Sequence, residues 1–148
     1  MADDIKTTKG SENMYETLIR NALEMRKKAY CPYSGFSVGA ALLCSDGTVY
    51  TGCNIENAAY SVSICAERTA FVKAVSDGKR EFTAIAIAGG KAEQPEKYSY
   101  PCGTCRQLMR EFCHPKDFKI ITAVSLDDYR ICTLKELLPD SFGPGNLV

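Results

Sequence analysis

Apolar residues recur at helical spacing from Ser11 to Tyr30, with Met14, Leu18, Ile19, Ala22, Leu23 and Ala29 on one face. Ser11 can cap this helix, and Cys31-Pro32 ends it, because a residue before proline avoids the helical region. Two apolar runs follow, Phe36–Cys44 and Val49–Cys53, joined by Ser45-Asp46-Gly47-Thr48. Asp-Gly between such runs predicts an antiparallel hairpin. The segment from Asn54 to Ile64 reads as a loop. Ala66, Ala70, Phe71, Ala74 and Val75 then form a helical stripe, with Gly78 just past its end. Phe82–Ala88 is a short apolar strand, closed by Gly89-Gly90. Lys91–Tyr100 is polar, contains a proline and reads as a surface loop.

Pro101 introduces a helix through about Cys113, with Leu108, Met109 and Phe112 as its buried side. Lys119–Val124 is a buried strand and Tyr129–Thr133 a last short one. Thr133–Leu138 makes one or two helical turns before Pro139. The order α-β-β-α-β-α-β-β, plus a helical tail, predicts an α/β fold with a mixed sheet and helices packed on it.

Length and composition narrow the picture. A chain of 148 residues suits one domain. No stretch approaches the roughly 18 apolar residues of a membrane span, and the polar N-terminus lacks the apolar core of a signal peptide. Acidic and basic residues balance at 18 each, whereas a protein that tracks a phosphate backbone carries a basic excess. Eight cysteines is a high count. A disulfide framework belongs to short secreted chains, and Cys44 sits within an apolar run, where a thiol packs as a small hydrophobe.

Cys102 and Cys105 stand at the spacing of two thiolates on one zinc, at the head of a helix whose positive end favours the thiolate form. Two free thiols and a redox couple are the competing readings. Cys65-Ala66-Glu67 offers a second cysteine at a helix start, with a carboxylate two residues on. If both helix starts converge, Cys65, Cys102 and Cys105 supply three ligands and leave a fourth position open, which is the pattern of catalytic zinc.

Cys65-Ala66-Glu67-Arg68, followed by Pro101-Cys102 and Cys105, resembles the zinc-dependent cytidine deaminases, a chemistry in which the signature glutamate is not a ligand. The likeness extends through Tyr30–Ser34, Phe36–Ala41, Gly52–Ala58 and Ser141–Pro144, covering roughly Met14 to Pro144. It is closest to the small homotetrameric nucleoside type. The resemblance implies a mixed five-stranded sheet with helices on both faces. It implies a single domain over residues 1–148, with 1–12 as a flexible tail. It also implies hydrolytic deamination of cytidine and 2′-deoxycytidine to uridine and 2′-deoxyuridine, by zinc-activated water, in pyrimidine salvage. One zinc per subunit is held by Cys65, Cys102 and Cys105, and Glu67 shuttles protons between water, N3 and the leaving amine.

Arg68 is implied to hydrogen-bond a ligand sulfur and draw charge from it. Asn54 and Glu56 match positions that hold ribose hydroxyls, Phe36 the ring that packs on the pyrimidine, and Ala66 a further substrate contact. Ala58, Tyr60 and Phe142 match positions that reach a neighbour's pocket, so the active sites are shared in a homotetramer. The substrate is a small nucleoside, with no nucleic-acid or membrane partner, and the location is cytoplasmic. His114, the sole histidine, lies roughly two helical turns from the metal end and reads as a helix-end residue. The remaining cysteines read as structural thiols, with Cys53 close to the site.

Three other activities compete. A polynucleotide-editing deaminase calls for a basic, aromatic-lined groove. A non-catalytic zinc module needs a fourth protein ligand. A deaminase of another aminopyrimidine nucleoside, such as blasticidin S, shares the zinc core and is separated by a substrate panel.

Overall fold

The structure is a computed structural model that describes residues 9–148, with side chains from Met14 onward. The chain runs α1 (Lys9–Met25), β1 (Ser37–Cys44), β2 (Val49–Cys53), α2 (Ala66–Ser76), β3 (Phe82–Gly90), α3 (Gly103–Phe112), β4 (Lys119–Ala123), β5 (Tyr129–Thr133) and α4 (Leu134–Leu137). Short 3₁₀ turns lie at Arg26–Lys28, Tyr60–Val62 and Pro144–Asn146. The five strands form one sheet in the order β2-β1-β3-β4-β5. Only the β3–β4 pair is parallel; the other three pairs are antiparallel. The expected element order and mixed five-stranded sheet are both present.

Alternation along the strands sends two different surfaces to the two faces. Ala41, Ala84, Ala86, Ala88, Ile121 and Ala123 meet Leu18, Ile19 and Ala22 of α1. The many alanines let that helix sit close to the sheet. Ala40, Leu42, Ile85, Ile87 and Ile120 face α2, α3 and α4. Phe71 of α2 is fully buried there, with ring centroids 5.0 Å from Phe82, 6.1 Å from Phe118 and 6.3 Å from Phe112. This aromatic cluster ties α2 to α3 and fixes how their N-terminal ends stand relative to each other.

Several boundaries differ from the sequence reading. Helix α1 begins at Lys9, ahead of the expected cap Ser11, and gives way to a 3₁₀ turn at Arg26 rather than running to Tyr30. The expected tail overlaps α1 at residues 9–12, and residues 1–8 lie outside the described residues. Gly89 and Gly90 do not close β3 but belong to it, paired with Val38 and Ser37 of β1. The Asn54–Ile64 loop carries a 3₁₀ turn and two isolated bridges, Tyr30 to Ile55 and Ile55 to Ile64. Gly78 takes φ +91° just beyond α2, as the helix-stop reading expects. Thr133 caps α4 through a capping box with Glu136. Among the described residues no helix is long and apolar enough to cross a membrane.

Candidate active site

Cys65 and Cys102 are the N-cap residues of α2 and α3, both with extended backbone. The aromatic cluster beneath the helices brings these two ends together. The Cys65 and Cys102 sulfurs lie 3.7 Å apart although 37 positions separate them in the chain. Cys105, in the first turn of α3, is buried and places its sulfur 3.4 Å from that of Cys102. All three sulfurs lie within 4.8 Å of one another. Among the described residues this is the only cluster of three or more side chains of metal-ligand type.

The surroundings favour negative sulfur. Cys65 and Cys102 stand at two helix N-termini, whose partial positive charge favours the thiolate. Cys65 is held well below the ordinary thiol value by the Cys105 thiol and then by Arg68. Cys105 is driven upward by the neighbouring Cys65 sulfur and by burial. The Arg68 Nη2 lies 4.0 Å from the Cys65 sulfur, at the outer reach of a hydrogen bond to sulfur, and 2.9 Å from the Ser63 carbonyl oxygen. Three sulfurs at these separations form a donor set suited to zinc.

Glu67 lies in the first turn of α2, two residues from Cys65, and is 4% exposed. Burial pushes its carboxyl up to about 7, with the Cys65 charge adding to the effect. A carboxyl at that value both accepts and donates a proton near neutrality. Ala66, between the two, is fully buried at the start of α2.

The residues expected around the sugar and base lie in the neighbouring loops. Asn54 accepts from the Val38 amide at 2.8 Å and donates to the Phe36 carbonyl at 2.8 Å, so its side chain fixes the start of β1. Glu56 is partly exposed. One of its oxygens accepts from the Tyr33 and Ser34 amides at 2.9 and 3.1 Å, and the other from the Ser34 hydroxyl at 2.5 Å. The Ser34 hydroxyl, followed by these amides, holds the carboxyl below its usual range. Tyr33, Ser34, Glu56, Tyr60 and Ser63 line a cavity of about 350 Å³. Phe36 is 37% exposed and contacts the β3 end.

Ala58, Tyr60 and Phe142 stand on the surface, Tyr60 at 75% and Phe142 at 58% exposure. The Phe142 carbonyl accepts from Gln107 of α3 at 3.0 Å, so the C-terminal tail rests on a helix of the cysteine cluster. His114 is exposed, lies 2.9 Å from Asp117 and takes no part in the cluster. Cys53 is buried and donates to the Lys28 carbonyl at 3.4 Å, and all eight cysteines are free.

The sequence reading did not single out Tyr33 and Ser34 as the partners of Glu56. The two amides leave no mark in residue type, and the Ser34 hydroxyl could have been found only by knowing that it faces a carboxylate 22 positions away.

Comparisons with known proteins agree with this geometry. The family described as the cytidine and deoxycytidylate deaminase zinc-binding region matches residues 12–122. A cytidine deaminase of Sporosarcina psychrophila is 49% identical over 132 residues, covering 89% of this chain and 93% of the relative. One from Halalkalibacterium halodurans is 48% identical, covering 86% and 92%. The crystal structure of cytidine deaminase from Burkholderia pseudomallei aligns with a TM-score of 0.79 at 44% identity, covering 86% of this chain and 98% of that one. The three-sulfur cluster and the zinc-binding region together fit one zinc per subunit. The chain belongs to the cytidine and deoxycytidylate deaminase zinc-binding family.

Proposed function

We propose that this protein deaminates cytidine and 2′-deoxycytidine hydrolytically, releasing ammonia and the corresponding uridine, as an enzyme of pyrimidine salvage. The observation that carries the reading is the convergence of three cysteine sulfurs within 4.8 Å of one another, with the buried Glu67 carboxyl two residues from one of them. Cys65, Cys102 and Cys105 would hold the zinc, which when bound supplies Lewis-acid activation of a water at C4 of the pyrimidine.

Glu67 takes a proton from that water and passes it to N3 of the ring. The same carboxyl moves the second proton to the leaving amine. One water is consumed and one ammonia released, and Glu67 returns to its starting state. Arg68, near the Cys65 sulfur, tempers the negative charge of a three-thiolate set, which otherwise weakens the metal as an electrophile.

Asn54 and Glu56 receive the ribose hydroxyls, Phe36 packs on the base, and Ala66 contributes a further contact. Glu56 also repels a nearby phosphate, which favours nucleosides over nucleotides. The exposed Ala58, Tyr60 and Phe142 support a homotetramer in which neighbours complete each other's pockets. The protein is taken as a single catalytic domain of the cytoplasm without a membrane partner, and the balance of 18 acidic and 18 basic residues supports the absence of a nucleic-acid partner.

The test follows cytidine absorbance and ammonia release with and without a zinc chelator, beside blasticidin S and a short single-stranded oligonucleotide. Turnover of cytidine that the chelator abolishes is the expected result. Turnover of blasticidin S or of the oligonucleotide, with none of cytidine, overturns the reading.

A further inference from the structure

Arg26 opens the 3₁₀ turn after α1, in the basic run Arg26-Lys27-Lys28. Its two neighbours are exposed, yet Arg26 is 7% exposed. It joins none of the ion pairs among the described residues. The guanidinium instead donates to four backbone carbonyls. Nε meets Ser37 at 3.2 Å, Nη1 meets Glu93 at 2.9 Å, and Nη2 meets Gly90 at 3.1 Å and Ala92 at 2.7 Å. A buried cation without a counter-ion is costly, and here charge-assisted bonds to carbonyl dipoles offset the cost.

These carbonyls belong to two places. Ser37 directly follows Phe36 at the start of β1. Gly90, Ala92 and Glu93 form the end of β3 and the head of the loop that leads to Cys102. An open cavity of about 600 Å³, lined by Arg20, Glu24, Lys27, Lys91 and Gln94 among others, separates this loop head from α1. Residues 91–94 are exposed, with Pro95 the first side chain of the loop to be buried, beside Gly90, and the guanidinium fork spans the gap before it.

The far end of the loop returns to the same aromatic ring. A Cβ on Gly89 would meet the Ser99 hydroxyl at 2.9 Å and the Phe36 ring at 3.0 Å, so Phe36, Gly89 and Ser99 crowd around one point. Phe36, Gly89, Gly90, Tyr98 and Ser99 line a cavity of about 360 Å³. Tyr98 and Tyr100 are further tied to Asp128 and Arg130 at the β5 edge.

We propose that Arg26 is a positioning residue for substrate binding: by joining Ser37 to Gly90, Ala92 and Glu93, it fixes Phe36 and the 91–100 loop as one wall of the base pocket. The substrate in this statement rests on the proposed cytidine deaminase activity. The role acts on ground-state binding and leaves the proton shuttle untouched, so it belongs in KM rather than kcat.

The test compares the zinc-loaded parent with Arg26→Met and Arg26→Lys. Arg26→Met is expected to raise KM for cytidine by about tenfold or more, with kcat within about threefold and zinc content unchanged. Amide exchange should quicken across residues 91–100 and not across α2. Lysine keeps the charge but not the planar fork, so Arg26→Lys is expected to retain the fold and still raise KM by about threefold or more. If the methionine variant does not fold, the lysine variant carries the comparison. Unchanged KM in the folded variants, unchanged exchange in the loop, or a loss confined to kcat and zinc content overturns the proposal. If the parent does not turn over cytidine, the activity assignment fails, while the exchange measurement still decides whether Arg26 holds the loop.

Discussion

Gly52 of β2 faces the carbonyl of Ala66, the first residue of α2, with no room for a side chain. A Cβ there would stand 2.3 Å from the Ala66 oxygen and 2.6 Å from the Ala70 amide nitrogen. Both are backbone atoms, so no rotamer change relieves the clash. The strand thus sets how closely the helix that carries Cys65 and Glu67 lies on the sheet. Gly52→Ala is expected to destabilise the fold by about 2 kcal/mol or more and to weaken zinc retention. Gly103, at the start of α3, has open space around its Cβ position, so Gly103→Ala is expected to stay within about 1 kcal/mol of the parent. Denaturant melts and zinc analysis of the two variants check the contrast.

Glu67→Gln retains the shape of the buried side chain and removes its ability to exchange protons. The variant is expected to bind zinc as the parent does and to lose on the order of 10³-fold or more in kcat. Metal analysis beside an ammonia assay decides. Near-parental turnover would show that another group moves the protons.

Removing one sulfur leaves two ligands. Cys105→Ala and Cys102→Ala are each expected to drop zinc from about one per chain to a small fraction, with activity falling in parallel. Cys105 is buried and Cys102 exposed, so the Cys105 variant also loses packing and should melt lower. Zinc content equal to the parent's in either variant would remove that residue from the ligand set.

Glu56 is clamped by the Tyr33 and Ser34 amides, so its carboxylate is fixed before any sugar arrives. Glu56→Gln replaces one acceptor oxygen with a donor that faces these amides or the ribose. Its KM for cytidine is expected to rise by about tenfold or more while zinc binding is kept. Steady-state kinetics on cytidine and on an analogue lacking the sugar hydroxyls check this, since the analogue should be affected less.

The Thr133–Glu136 capping box gives a dependence on acidity that is separate from catalysis. The Glu136 carboxylate accepts from the Thr133 amide at 2.6 Å and from its hydroxyl at 3.0 Å, and these bonds hold it below its usual range. A carboxylate lowered in the folded state stabilises fully above its unfolded value, near pH 4.3, and the contribution fades as pH falls through the folded value. Glu136→Gln is therefore expected to melt below the parent at pH 7, with the gap closing under acid. Thr133→Ala, which removes the cap itself, should cost about 1 kcal/mol at neutral pH. Thermal melts across pH test both.

By itself, the sequence determined the elements and their order. The short apolar runs of β1 and β3, the Asp-Gly hairpin, the helical stripe of α2 and the proline before α3 are all local signals, because backbone geometry repeats over a few residues. The same local signals marked Cys65, Cys102 and Cys105 as metal-competent, since each sits at or near a helix start. Only the tertiary structure decided that the two helix ends meet, with sulfurs 3.7 Å apart across 37 positions, because that depends on Phe71 packing against rings from three other segments. It likewise decided which member of Arg26-Lys27-Lys28 is buried and that Gly89-Gly90 continues a strand. Composition does not distinguish a solvated cation from one whose donors close a gap between distant carbonyls. The acceptors of those donors are backbone carbonyls, which every residue carries, so the partners are fixed only once the chain has folded.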